Sequence, residues 1–398
     1  MMENDGIYII AACRTGIGAL NGQFKNTPGT ILGATVIKCC LEKAQILPSD
    51  ISEVIIGQVL TAGQGQNPAR QAAIQAGIPW STPAFTVNML GGSSLKAVYL
   101  GYQAIRCKTD VKVVMCGGQE NMTMAQHSVN VRNMCEPQEI QVQDTILMDG
   151  LLDPLTGLHI SEVAERFAAV NQITREVQDR FALRSHNRAE RSVVSKVFEQ
   201  EIVAVQQSEG KSSVIKDELV QKNVTLPQLC EMPPVITADM LESSGTVTKG
   251  NSAVAADAAA AVILCSGEQI ERRNFIPLVR LVEFAEIGTN PFELGVAVVI
   301  AIEEVLTRSS WSKEDVDLFE VDETFSSQVV FVVKKLEISM KKVNVASGSI
   351  ALGRPLGANG ARMLVTLVNN LHRLRLQRGV VVASISGGMA IAVSVQRR

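Results

Sequence analysis

At 398 residues the chain has the length of roughly two to four domain-sized units, which excludes a single small binding module. Its 46% hydrophobic and 19% charged residues place it among folding globular chains and away from the disordered corner. The 37 Lys and Arg against 40 Asp and Glu leave a formal net charge of −3 with no long run of either sign, so there is no electrostatic footprint for nucleic acid or an anionic membrane.

The polar start Met1-Met2-Glu3-Asn4-Asp5 runs into an apolar, strand-like stretch from Ile7 to Ala12, which predicts no signal or transit peptide. Leu90-Gly91-Gly92-Ser93-Ser94-Leu95-Lys96 reads as a glycine turn opening a helix with apolar Leu95, Val98, Tyr102 and Ile105. Free amides at such a start suit an oxyanion or a nucleophile at Ser93 or Ser94, although a plain helix cap explains both serines and is the commoner case. Val111 to Met115 reads as a buried strand ended by Gly117-Gly118. From about 119 to 244, charged helical segments (Glu162 to Phe167, Arg175 to Ser192) and polar stretches such as Gln207 to Ser213 suit an inserted domain. Ala253 to Leu264, alanine-rich and nearly uncharged, reads as buried core.

Glu320-Val321-Asp322-Glu323 follows another predicted strand, where paired carboxylates serve acid and base work or, more often, mark a solvated strand end. Adjacent strand positions face opposite sides, so at most one of Asp322 and Glu323 faces a given site. Asn344 to Arg362 holds four glycines and a proline around Arg354, an arginine placed to clamp a phosphate or carboxylate or to form an internal ion pair. Val380 to Ile385 reads as a second buried strand, ended by Gly387-Gly388, a turn that lets a ligand approach the backbone. The likeness of VVMCGGQENM to VASISGGMAIA predicts two related α/β halves with parallel strands joined by crossover helices.

Eight scattered cysteines without a CxxC pair argue against a zinc site or disulfide framework. His127, His159, His186 and His372 show no metal-ligand spacing and read as surface or satisfied core residues. The end Gln396-Arg397-Arg398 is no peroxisomal tripeptide, and no apolar stretch reaches the ~20 residues of a membrane span. A soluble, cytoplasmic protein without metal, nucleic-acid or membrane partners is the expectation.

Taken together, Ala12-Cys13-Arg14-Thr15 with Ile17-Gly18, Gly65 to Gln71, Gly117 to Met122, Gln178-Asp179, Ser185 to Ala189, Gly245 to Thr248, Asp257, Ala351-Leu352-Gly353 and Pro355 to Gly357 resemble the thiolase family in its cytosolic acetyl-CoA acetyltransferase branch. The resemblance runs from Ile9 to Arg397. It implies a five-layered α/β/α/β/α fold of two similar halves: residues 1–118 completed by 245–268, a loop domain at 119–244, and 269–398. It also implies a dimer or tetramer.

Thiolases join two acetyl-CoA molecules in a Claisen condensation, or reverse it. They use a nucleophilic cysteine, a histidine that activates it, a second cysteine that moves the α-proton, and an asparagine in the oxyanion hole. By the resemblance these fall on Gly91, Arg354, Ser384 and Asp322, so all four are replaced. The coenzyme A pocket falls on Lys249, Gly250, Ser252 and Ala253, with a methionine near the acyl site falling on Leu294. Ala253 then lacks the family's serine, and Lys249 adds a long cation. The reading is a pseudoenzyme that binds coenzyme A or an acyl-CoA, or assembles with itself or with active thiolase subunits. Residual or altered thioester activity and a scaffold without coenzyme A binding are the alternatives. Asp322 and Arg354 are expected to form a buried bidentate ion pair.

Overall fold

The computed structural model describes residues 5–108, 110–132, 141–206, 213–236 and 245–397. Met1 to Asn4, Cys135, residues 207–212 of the predicted polar stretch and Arg398 lie outside the described residues.

The first apolar run is β1 (Ile7–Thr15), followed by α1 (Gly29–Ala44), β2 (Glu53–Gly57), α2 (Pro68–Gln75), β3 (Ala84–Val87), α3 (Ser93–Cys107) and β4 (Val113–Asn121). The two charged segments lie in α4 (Ile160–Val170) and α5 (Arg175–Val194), where Thr174 caps α5 by accepting a hydrogen bond from the Val177 amide. The alanine-rich run becomes β5 (Ala256–Ser266), buried along its whole length. Then come β6 (Val279–Gly288), α6 (Val296–Ser309), β7 (Leu318–Val321), α7 (Ser326–Leu336), α8 (Asn359–Arg373), β8 (Arg378–Ile385) and β9 (Met389–Gln396).

These strands lie in the order β7-β8-β9-β6-β1-β5-β4-β2-β3, and with two short segments, Gly18–Ala19 and Ile202–Val203, they form a mixed sheet of eleven strands. The expected parallel strands with crossover helices make up only part of the sheet. Parallel pairing joins β7 to β8, and β2 to both β3 and β4. β4 with β5, β8 with β9, β1 with β5 and β6, and β6 with β9 are antiparallel, while the short Ile202–Val203 segment runs parallel to β1. The β8–β9 link is the Gly387-Gly388 turn, too short for a crossover. Each half repeats one order, β2-β4-β5-β1 and β7-β8-β9-β6, and the halves meet where Ile7, Tyr8 and Ile9 pair with Leu281, Arg280 and Val279.

The duplication is therefore real in topology, but its two glycine pairs are not equivalent. Gly117 and Gly118 lie inside β4 and do not end it. A β-carbon at Gly117 would run into the Ala260 carbonyl, and one at Gly118 into the Gly357 carbonyl. Glycine is required there by close backbone approach. Gly387 and Gly388, at φ 82° and 78°, do make the predicted turn. No ligand space adjoins Gly388, because the Thr289–Asn290 backbone packs against it and the Thr289 amide donates to its carbonyl at 2.7 Å.

α3 and α8 share one apolar cluster with β4 and β5 from one half and β8 and β9 from the other. α1 and α2 cover the outer face of the first half, and α6 and α7 that of the second. Helix, sheet, helix, sheet and helix thus alternate in five layers. Apolar residues such as Leu95, Leu364 and Val393, all at 0% exposure in the middle layer, each contribute on the order of 1.5–3 kcal/mol by leaving water. The segment between β4 and β5 is tied to β1 by a buried arginine. Arg14 Nε donates to Glu201 at 2.6 Å, and its Nη1 and Nη2 donate to Asp217 at 2.7 and 2.9 Å.

Candidate active site

The turn between β3 and α3 is held in an unusual backbone state. Leu90 sits at φ 47°, a left-handed conformation that costs about 1 kcal/mol or more for a residue with a β-carbon. Ser93 stabilises it by donating to the Leu90 carbonyl at 2.6 Å while accepting from the Met89 amide at 2.8 Å. Ser94 accepts from the Ala361 amide at 2.8 Å and so joins α3 to the start of α8. Neither serine caps α3 in the expected way, since the cap position is Gly92 and no side chain bonds there. Both are fully buried and already bonded, so neither is a free nucleophile.

Gly91, at the floor of this turn, faces a cluster drawn from three other segments. Asp322 lies just past β7, where its amide donates to Val382 of β8 at 3.1 Å. Arg354 follows Gly353, a turn at φ 92°, and its amide bonds Val254 at 2.9 Å. Ser384 comes from β8. Arg354 Nη2 donates to Asp322 Oδ2 at 2.7 Å, and its Nε lies 3.2 Å from both carboxylate oxygens. The second bond of Nη2, 3.0 Å long, goes to the Ser384 carbonyl. Asp322 also accepts from Asn359 Nδ2 at 2.9 Å, Ser384 Oγ at 3.0 Å and Thr324 Oγ1 at 3.3 Å.

The expected ion pair is therefore present, and its side chains are only 8% and 1% exposed. Burial pushes the Asp322 carboxyl up, but the Arg354 charge and the hydrogen bonds from Arg354 and Ser384 outweigh burial and hold it below the usual carboxylate range. A β-carbon at Gly91 would overlap Arg354 Nη2 and come within 2.8 Å of the Ser384 carbonyl. With the guanidinium clamped by Asp322 and Ser384, a side chain at 91 and this arginine position exclude each other.

Beside the pair lies a small cavity of about 110 Å³, lined among others by His159, Ser252, Ala253, Thr324, Phe325 and Arg354. Pockets that engulf a drug-sized ligand usually exceed ~300 Å³, so this one admits only a narrow group. Of the expected coenzyme A positions, Ser252 and Ala253 line it. Lys249 is exposed, and Gly250 is buried with its carbonyl 3.1 Å from His186 Nε2. Leu294 packs in the apolar cluster of Phe325, behind the wall.

Two participants were not singled out from sequence: Thr324 and Asn359. Asn359 lies within the glycine-rich stretch around Arg354, and its place there was the available signal. His159 fits the reading of a satisfied histidine, its Nδ1 accepting the Ser161 amide at 3.1 Å, and it also lines the cavity.

Glu320 to Glu323 is not a solvated strand end: Glu320, Asp322 and Glu323 are each 1% exposed. Asp322 and Glu323 do diverge, Glu323 accepting from Ser185 at 2.6 Å and Asn344 at 2.7 Å. Among the described residues neither carboxyl oxygen of Glu320 has a hydrogen-bond partner, and burial pushes its pKa up to about 8, with Arg362 opposing. Its unfolded value is near ~4.3, so the stability linked to its neutral form is fully present below that pH and is lost as pH rises through 8. Glu320→Gln is expected to change melting little at pH 4.5 but to leave the variant more stable than the parent by on the order of 2 kcal/mol at pH 8. A difference independent of pH in thermal unfolding would contradict this assignment.

Residues 7–268 match the thiolase N-terminal domain and residues 275–397 the thiolase C-terminal domain. The chain is 42% identical over 396 residues to the mouse protein named "Acetyl-CoA acetyltransferase, cytosolic", covering 99% of each. It is 40% identical over 398 residues to the acetyl-CoA acetyltransferase of Rhizobium meliloti, covering 100% of each. The crystal structure of the Bacillus anthracis acetyl-CoA acetyltransferase superposes with TM-score 0.94 at 30% identity, and that of human mitochondrial 3-ketoacyl-CoA thiolase with 0.94 at 35%, each covering 99% of both chains. Domain matches along nearly the whole chain, full-length relatives and a shared five-layered architecture lead to one conclusion: the chain belongs to the thiolase family.

Proposed function

We propose that this protein keeps the thiolase fold without Claisen condensation or thiolysis. It binds an acyl-CoA beside Arg354 within an assembly of its own copies or of active thiolase subunits. The observation that carries this reading is the Asp322–Arg354 pair standing where a side chain at Gly91 would have to be. Gly91 offers no nucleophile, so no acyl-enzyme forms there. Arg354 keeps its proton at any physiological pH and is no base. Ser384 is too weakly acidic to exchange protons as a thiol does. Asp322 presents acceptors where a developing oxyanion needs donors.

The acyl-CoA ligand and a cytoplasmic setting are carried over from relatives named acetyl-CoA acetyltransferase, one of them cytosolic. Among the described residues no helix is long and apolar enough to cross a membrane. Calorimetric titration with coenzyme A and with acetoacetyl-CoA, read together with thioester absorbance, tests the proposal. Saturable binding without thioester loss is the expected result. Thioester cleavage that requires added coenzyme A would overturn it, and absence of binding would leave a scaffold in its place.

A further inference from the structure

A second cavity, of about 440 Å³, opens away from Arg354, between the C-terminal end of α5, the loop at 341–345 and the end of α8. Arg188, Arg191, Ser192, Ser195, Lys341 and Arg373 line it, and no carboxylate does. Among the described residues, no Asp or Glu lies within ion-pair distance of any of these four cations.

The donors divide into fixed and free. Arg188 is committed to the protein, its Nη1 donating to the Val343 and Asn344 carbonyls and its Nη2 to Met340. Arg191 uses only Nε, on Asn187, and Arg373 only Nη2, on Asn370. Among the described residues, that leaves both Nη of Arg191, Nε and Nη1 of Arg373, and the exposed Lys341 ammonium without protein acceptors.

Cations often gather at helix C-termini to meet free carbonyls, at ~0.3–1 kcal/mol each. That explanation is weak here because backbone amides already occupy them: Ser195 caps Arg191, Lys196 caps Val193, Leu374 caps Asn370 and Arg375 caps His372. Burial pulls Arg188 down to about 10, and the Arg184 charge adds to it, while burial also lowers Arg373. Burial of a cation without a facing carboxylate is a cost that a bound anion offsets. The interior acids Glu323 and Glu320 partly oppose the Arg188 shift, and Glu201 that of Arg373.

We propose that this cleft binds the phosphate groups of a small polyphosphorylated ligand, with Arg191, Lys341 and Arg373 as the ligating cations and Ser195 as a neutral donor. Planar guanidinium forks match phosphate oxygens two at a time, and the volume suits a metabolite-sized molecule. The site is separate from the acyl-CoA reading and stands or falls without it.

The test is titration of the full chain with inorganic pyrophosphate, by calorimetry and by thermal shift at fixed ionic strength. The parent is expected to bind saturably, and the double variant Arg191→Glu/Arg373→Glu to bind at least about tenfold more weakly. Both positions are exposed, so the core is untouched, and Lys341→Glu gives the same test should the double variant fold poorly. Lys38→Glu, on the exposed side of α1, makes a smaller change in net charge at a distant site and is expected to stay within about twofold. No saturable binding to the parent, or equal weakening by Lys38→Glu, would overturn the proposal.

Discussion

Arg354→Met is expected to lower the unfolding free energy by about 3–5 kcal/mol, because it strands the Asp322 carboxylate in a site with 1% exposure. Asp322 would keep its bonds from Asn359, Ser384 and Thr324, but these are neutral donors and do not replace a cation. Adding Asp322→Asn removes the stranded charge, so the double variant should recover a good part of the loss, giving a coupling of roughly 1–3 kcal/mol in a double-mutant cycle. Since the folded Asp322 carboxyl lies below its ordinary value, its stabilising contribution is present above about pH 4 and is lost as pH falls through the folded value. The cost of Arg354→Met should therefore shrink in acid. Additive effects in urea unfolding, with no pH dependence below 4, would mean the two side chains act independently.

On the proposed reading, coenzyme A-dependent thiolysis is expected only when the four positions change together. Gly91→Cys alone places a side chain against Arg354 Nη2 and the Ser384 carbonyl, and is expected to destabilise by about 1–3 kcal/mol without producing turnover. Combined with Asp322→Asn, Arg354→His and Ser384→Cys, the overlap with the guanidinium is gone and the buried charge pair disappears with it. The resemblance to thiolases then supplies a nucleophile, a base, a proton carrier and an oxyanion donor in one place. Coenzyme A-dependent loss of acetoacetyl-CoA absorbance should rise at least about 10²-fold over the parent. A well-folded quadruple variant that binds acetoacetyl-CoA yet shows no thiolysis would contradict this expectation and point instead to the narrow cavity beside Ser252 and Ala253.

Much of the scaffold was legible in the chain because it depends on local pattern. β-Branched runs marked β1 and β8, the uncharged alanine run marked β5, and helical periodicity marked α3 and α5. The Asp322–Arg354 pair was also legible, since the two positions picked out by the resemblance carry opposite charges. Other features were not, and each depends on what a distant segment brings near. Gly117 and Gly118 read as a strand end because glycine usually breaks strands, whereas carbonyls of Ala260 and Gly357 leave no room there for a β-carbon. Glu320 and Glu323 read as solvated because carboxylates usually are, whereas both are buried, Glu323 held by Ser185 of α5 and by Asn344 and Ile350, and Glu320 lying near Arg362 of α8. The cationic cleft joins residues near 190, 341 and 373, a meeting that no local periodicity encodes. Residue spacing set which side chains face inward along each element. Steric closeness and desolvation, which depend on neighbours hundreds of residues away, set what those side chains became in the folded protein.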